Sequence, residues 1–182
     1  VAMVAGTGLL ARRIWPADRD LSLRAMVVLI GFPVFLIYGS ATMFDALLGL
    51  GVLAGAAAVW RIGQGEEGRG PWVALGLALA FGIYAKGPVI LVHLAPLLVG
   101  IRLWAPNPPR LVQMLKGFGL ALLVALALVA LWLVPTWATA PPAFVKELLW
   151  TQSAARVAGG MAHDRPIWFL AALLPLILFP WG

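Results

Sequence analysis

Lys86 lies between two long apolar runs, in Tyr84-Ala85-Lys86-Gly87-Pro88, and is the only charged side chain from Gly70 to Ile101. A lysine at the depth of a membrane segment costs about 2.5–3.5 kcal/mol on insertion scales. It belongs at a helix end or beside a wet cavity, where its ammonium meets an anion. As a flexible point charge it suits phosphate oxygens. The competing reading is a helix-end lysine that snorkels to the headgroups, with Gly87-Pro88 merely breaking the helix. Asp45 is the sole carboxylate between Asp20 and Glu66. At the outer mouth of a helix pair it is able to ligate a divalent cation or orient a sugar hydroxyl. It also stands where a helix starting near Ala46 would begin, so an N-cap is its alternative role.

A third set lies downstream. Arg156 offers a planar fork for phosphate oxygens, against the plainer reading of a solvated loop arginine. His163 can act as general acid or base near neutral pH or hydrogen-bond a bound group, against the reading of polar surface. Asp164 and Arg165 can simply pair with each other, which contributes roughly 0–1 kcal/mol when exposed. His93 falls inside a span and is expected to hydrogen-bond a neighbouring helix.

The elements that must hold these groups are membrane helices. The chain has 182 residues, is 63% hydrophobic and only 11% charged, with mean hydropathy +0.98; a soluble domain carries about 25% charged residues. Ala, Leu and Gly dominate, text such as Gly119 to Trp132 is apolar on every face, and the alternation of a membrane barrel is missing. The fold class is therefore all-α, a polytopic helical bundle. Seven membrane segments are predicted, at about 1–12, 25–43, 45–61, 71–86, 88–104, 117–136 and 166–182, the first and last incomplete. Gly51 and Gly55 allow close helix approach. The loop 137–165 exceeds a simple connector, and Ala143 to Ala158 reads as an amphipathic surface helix with Trp150 at the interface. Trp168 and Trp181 read as interface residues.

Charge sets the orientation. If the first segment ends inside, the inner loops hold Arg12, Arg13, Arg19, Arg24, Arg61, Arg69, Arg102, Arg110 and Lys116, nine in all, against Lys86, Lys146, Arg156 and Arg165, four, outside. The net charge of +6 thus reads as a topology signal and not as a nucleic-acid surface, and no nucleic-acid signature is present. No cysteine occurs, which excludes disulfides and thiolate metal sites. No Ser-His-Asp set or zincin helix stands out, and the glycine-rich stretch 63–70 lacks the ending and adjoining strand of a phosphate loop. An outward Asp, a membrane-level Lys and a basic, His-bearing loop suit a phosphorylated lipid with a polar head.

The chain resembles the bacterial branch of the dolichyl-phosphate-mannose protein mannosyltransferase family, and within it the lipid A aminoarabinose transferase group. The resemblance rests on Leu10-Ala11-Arg12-Arg13; on Tyr38-Gly39 with Phe44-Asp45-Ala46-Leu47-Leu48; on Ala85-Lys86-Gly87-Pro88; and on Thr151-Gln152-Ser153 through His163-Asp164-Arg165-Pro166-Ile167-Trp168 to Phe179-Pro180-Trp181. It implies a type C glycosyltransferase of the bacterial inner membrane. Its site would face the periplasm and take a sugar, with inversion, from a polyprenyl-phosphate donor to a lipid or protein acceptor. It implies that 1–182 is a partial transmembrane domain, lacking the family's first acidic loop with the catalytic base and its C-terminal soluble domain, and inactive alone. It matches Asp45 to the family's second acidic position, as catalytic residue, and Lys86 to the lysine near the donor phosphate. Tyr38, Arg156, His163 and Arg165 join the substrate-binding set. No cofactor is required by the pattern beyond the divalent cation that Asp45 would allow.

Two other classes stay open. A transporter or flippase for an anionic lipid would use Lys86 without breaking a bond, and inverted repeats with a mid-membrane site would mark it. A non-catalytic scaffold would show no outer cavity.

Overall fold

The computed structural model of the chain describes residues 1–40, 44–147 and 168–181. Among these the secondary structure is helical, without a strand: α1 Ala2–Ile14, α2 Leu21–Gly31, α3 Pro33–Ser40, α4 Phe44–Gly63, α5 Gly70–Lys86, α6 Val89–Val99, α7 Ile101–Trp104, α8 Leu111–Thr139, α9 Pro142–Lys146 and α10 Phe169–Leu178. The helices α4 and α8 are each long and apolar enough to cross a membrane, as an all-α membrane fold requires.

The core lies where α5 is held between α4 and α8 and α6 closes over the crossing. Leu75, Leu79, Ile90, Leu94 and Val59 are fully buried there. Glycines set how close the helices come. A Cβ on Gly51 would meet Ile90 Cδ1 at 3.2 Å and Phe81 at 3.3 Å, and one on Gly76 would meet the Ala121 carbonyl oxygen at 2.6 Å. Gly55 packs likewise against Leu94. Small residues let apolar helices approach where no hydrophobic effect drives them together, so Gly51 and Gly55 do what the sequence suggests.

Several predicted segments differ in detail. The described part of the stretch 25–43, to residue 40, falls in two helices, α2 and α3, bent by 75° at a break. Phe32 is extended there (φ −73°, ψ 119°), the conformation that Pro33 imposes on its predecessor. The stretch 88–104 divides at Gly100 into α6 and α7. The helix α8 starts six residues earlier than predicted, at Leu111, because the Gln113 side chain accepts the Arg110 backbone N–H at 2.9 Å and closes its first turn. The loop predicted from 137 begins with helix, since α8 runs to Thr139. Of the surface helix predicted over 143–158, the short α9 is the described part, and residues beyond 147 lie outside the description.

Candidate functional site

The two charges singled out in the sequence occupy opposite helix ends. Asp45 falls inside the first turn of α4, which already includes Phe44, so it is not the residue ahead of the helix that an N-cap would be. Lys86 is the last residue of α5. Gly87 stops that helix with φ +74° and its N–H bound to the Ile83 carbonyl at 2.8 Å. Only glycine adopts such a backbone readily, and Pro88 then leads directly into α6. Because α4 and α5 run antiparallel, these two ends meet. The Lys86 ammonium donates to the Asp45 carboxylate as an ion pair, with the side chains 37% and 42% exposed. Each charge also complements its own helix dipole, negative at an N-terminus and positive at a C-terminus, by about 0.3–1 kcal/mol. The anion that the isolated lysine called for is, in this structure, Asp45.

Asp45 has a second neighbour. It forms part of the wall of a cavity of about 360 Å³ whose other lining residues include Met3, Phe32, Phe35, Tyr38, Ile177 and Leu178. The lining is apolar apart from Asp45 and the Tyr38 ring with its hydroxyl. The break between α2 and α3 creates this space: α3 turns away from the line of α2 and lays Phe35 and Tyr38 against the start of α4, while the end of α10 closes one side. Tyr38, Asp45 and Lys86 are therefore brought together, two on the cavity wall and the third through its ion pair. Arg156, His163 and Arg165 lie outside the described residues.

His93 differs from expectation. Its Nδ1 lies 2.9 Å from the Val89 carbonyl of its own helix, and the residue is exposed. A polar ring on an apolar helix finds the nearest acceptor, one turn back, and no interhelical partner is needed. Sequence reasoning missed Tyr84, whose hydroxyl donates to the Leu128 carbonyl of α8 and whose ring meets Trp132 edge-on, centroids 6.4 Å apart at 82°. It fastens the C-terminal end of α5 to α8 while Lys86 fastens it to α4. Among the described residues no group of three His, Asp or Glu side chains gathers that could hold a metal ion, and the Asp45 carboxylate faces an ammonium.

No protein-family model and no solved structure matches the chain. Curated proteins do. It is 33% identical over 185 residues to an undecaprenyl phosphate-alpha-4-amino-4-deoxy-L-arabinose arabinosyl transferase 1 of Pseudomonas fluorescens, covering 97% of this chain and 31% of the relative. It is 30% identical over 177 residues to the transferase of the same name from a second strain of that species, 95% of this chain and 31% of the relative. The corresponding transferase of Erwinia tasmaniensis is 28% identical over 176 residues, 94% and 31%. The chain is homologous to these aminoarabinose transferases. It spans about 31% of their length, and the resemblance to the aminoarabinose transferase group is borne out. With its apolar helices, this makes the chain part of an integral membrane protein.

Proposed function

We propose that the full-length protein carrying this chain transfers a sugar from a polyprenyl-phosphate donor to a lipid or protein acceptor on the extracytoplasmic face of the bacterial inner membrane. The observation that carries the reading is the apolar cavity with an Asp–Lys pair at its edge: room for prenyl carbons beside a cation for the phosphate. The relatives' names support a donor built on undecaprenyl phosphate and an aminopentose. The basic residues support the orientation: Arg12, Arg13, Arg61, Arg69, Arg102 and Arg110 belong to helix ends and loops remote from the Asp45 end of α4.

In this reading an acceptor hydroxyl oxygen bonds to the anomeric carbon from the face opposite the phosphate. The bond between that carbon and the phosphate oxygen breaks, and its electron pair leaves on the phosphate. Lys86 stabilises the growing negative charge. Asp45 positions the sugar or acceptor. The acceptor's proton is proposed to pass to a carboxylate outside this chain, as the family resemblance implies. Arg156, His163 and Arg165 are proposed to contact the donor from the sequence ahead of α10.

The test is sugar transfer by the full-length protein in lipid nanodiscs holding an undecaprenyl-phosphate-linked sugar. Lys86→Ala is expected to lower turnover at least about a hundredfold, the loss typical of removing one preorganised donor to a developing anion, with membrane insertion unchanged. Normal turnover by that variant excludes the phosphate role. One observation favours the transporter reading: the broken α2–α3 span lines the cavity, as discontinuous helices do at transport sites. Movement of undecaprenyl phosphate across proteoliposomes without sugar release would establish it.

A further inference from the structure

Lys86 is engaged before any donor arrives, and the cavity presents Asp45 to an incoming lipid rather than the lysine. Asp45 is a wall residue of the cavity and Lys86 is not; Lys86 reaches that space through its contact with the carboxylate. A phosphate drawn to the cavity mouth by its apolar tail would meet a like charge. It binds only if the ammonium leaves Asp45 for it. From these positions we infer that the Asp45–Lys86 pair is a latch opened by the donor's phosphate, and that Asp45 competes with the donor for the lysine. This rests on the function proposed above.

The physical conditions for such an exchange are met. Both side chains are more than a third exposed, so the pair is weakly held and readily broken. Lysine carries its charge on a four-carbon stem with three rotatable donors, so the ammonium can change partner without moving α5. Gly87 at φ +74° has, among the described residues and apart from its own chain neighbours, no heavy atom within 4 Å of where a Cβ would stand, which leaves room there for a headgroup. Once the ammonium has moved, the Asp45 carboxylate is free on the cavity wall, beside the sugar that the phosphate brings with it. The resting pair keeps the carboxylate occupied until then.

The latch separates from a cooperative binding site by sign. If Asp45 helped to bind the phosphate, its loss would weaken binding; if it competes, its loss tightens binding. The experiment measures binding of undecaprenyl phosphate, without sugar, to the full-length protein in phosphatidylcholine nanodiscs. Asp45→Asn is expected to tighten binding about two- to fivefold, the range an exposed ion pair allows, while lowering sugar transfer. Asp45→Glu, which restores a carboxylate, is expected to return affinity close to that of the unaltered protein, and Asp45→Ser serves as the neutral variant if the asparagine does not fold. Lys86→Ala is expected to weaken binding. If Asp45→Asn weakens binding or leaves it unchanged while Lys86→Ala weakens it, the latch is overturned and the phosphate role stands. If Lys86→Ala leaves binding unchanged, the reading beneath the latch falls as well. A parallel titration with phosphatidylglycerol distinguishes the source of the phosphate: equal tightening by that lipid would overturn a latch specific for the polyprenyl donor.

Discussion

The hairpin of α4 and α5 carries an ion pair at each end, and the two are built differently. At one end Arg61 closes on Glu66 across five residues of chain, its Nε donating to Oε2 at 2.6 Å and its Nη2 to Oε1. The turn that joins them uses Gly65 and Gly68 at φ +79° and +94°. Asn107 braces it from the next connection, its N–H on the Gly63 carbonyl at 3.0 Å and its side-chain amide on the Gln64 carbonyl at 3.2 Å. At the other end Lys86 reaches Asp45 across 41 residues through a single donor, beside an open cavity. A planar fork on two carboxylate oxygens fixes a geometry, whereas a point charge on a flexible stem does not. The local pair fastens a turn; the distant pair is the one proposed to exchange for a ligand.

Reversing each pair should separate these roles most widely. Arg61→Glu combined with Glu66→Arg keeps a local pair, although it sets a carboxylate in the last turn of α4 against the helix dipole. Because it lies away from the proposed site, sugar transfer by the full-length protein is expected to stay within about twofold. Asp45→Lys combined with Lys86→Asp also keeps a pair, yet it puts a carboxylate where the proposed function needs a cation for the phosphate and sets both charges against their helix dipoles. Transfer is expected to remain at least about a hundredfold down. Equal losses at both ends would show that the pairs only hold the hairpin together.

Much of this contrast was legible in the sequence, for a physical reason. Charges are so expensive in apolar helices that Lys86 and Asp45 stand out singly, and their matching depth follows from counting spans. The cavity was not legible. Its walls come from α1, α3, α4 and α10, and it exists because the chain bends at Phe32-Pro33, a break that an apolar run from Ala25 to Phe44 hides. The proline was visible, but hydropathy averages straight across it. The Tyr84 contact was hidden for another reason: its acceptor is a backbone carbonyl, which every residue possesses. His93 illustrates the opposite error, a polar side chain credited with a distant partner when its own helix supplied one.

Tyr84 sharpens the comparison at intermediate size. The N-terminal end of α5 follows the braced turn, whereas its C-terminal end is held to α8 by the Tyr84 hydroxyl on Leu128 and the ring on Trp132, beside the Lys86 contact with α4. Tyr84→Phe keeps the ring and removes the donor, and should cost about 0.5–1.5 kcal/mol. The expected result is a lower Tm in detergent by a few degrees, with the Arg61–Glu66 end unaffected. An unchanged Tm would mean that packing alone, at Gly76 against Ala121 and Trp72 against Gly117, seats α5 on α8.

The smallest effect concerns acid. The hydrogen bond from Arg61 holds the Glu66 carboxyl below its ordinary pKa, and the charge of Arg13 on α1 acts in the same direction. A carboxyl lowered in the folded state binds fewer protons there than in the unfolded chain. It therefore contributes stability that is fully present above the ordinary carboxylate range and is lost as pH falls through the lowered folded value. Glu66→Gln removes this contribution, so its Tm should fall less steeply than that of the unaltered protein as detergent solutions are taken from pH 6 down to about pH 3. Because Glu66 lies at the surface, the difference should shrink further in high salt, where exposed charges are screened. A difference that persists in salt would mean that Arg61 and Glu66 act on the fold through the turn they close, and the local pair would then resemble the distant one less than its exposure suggests.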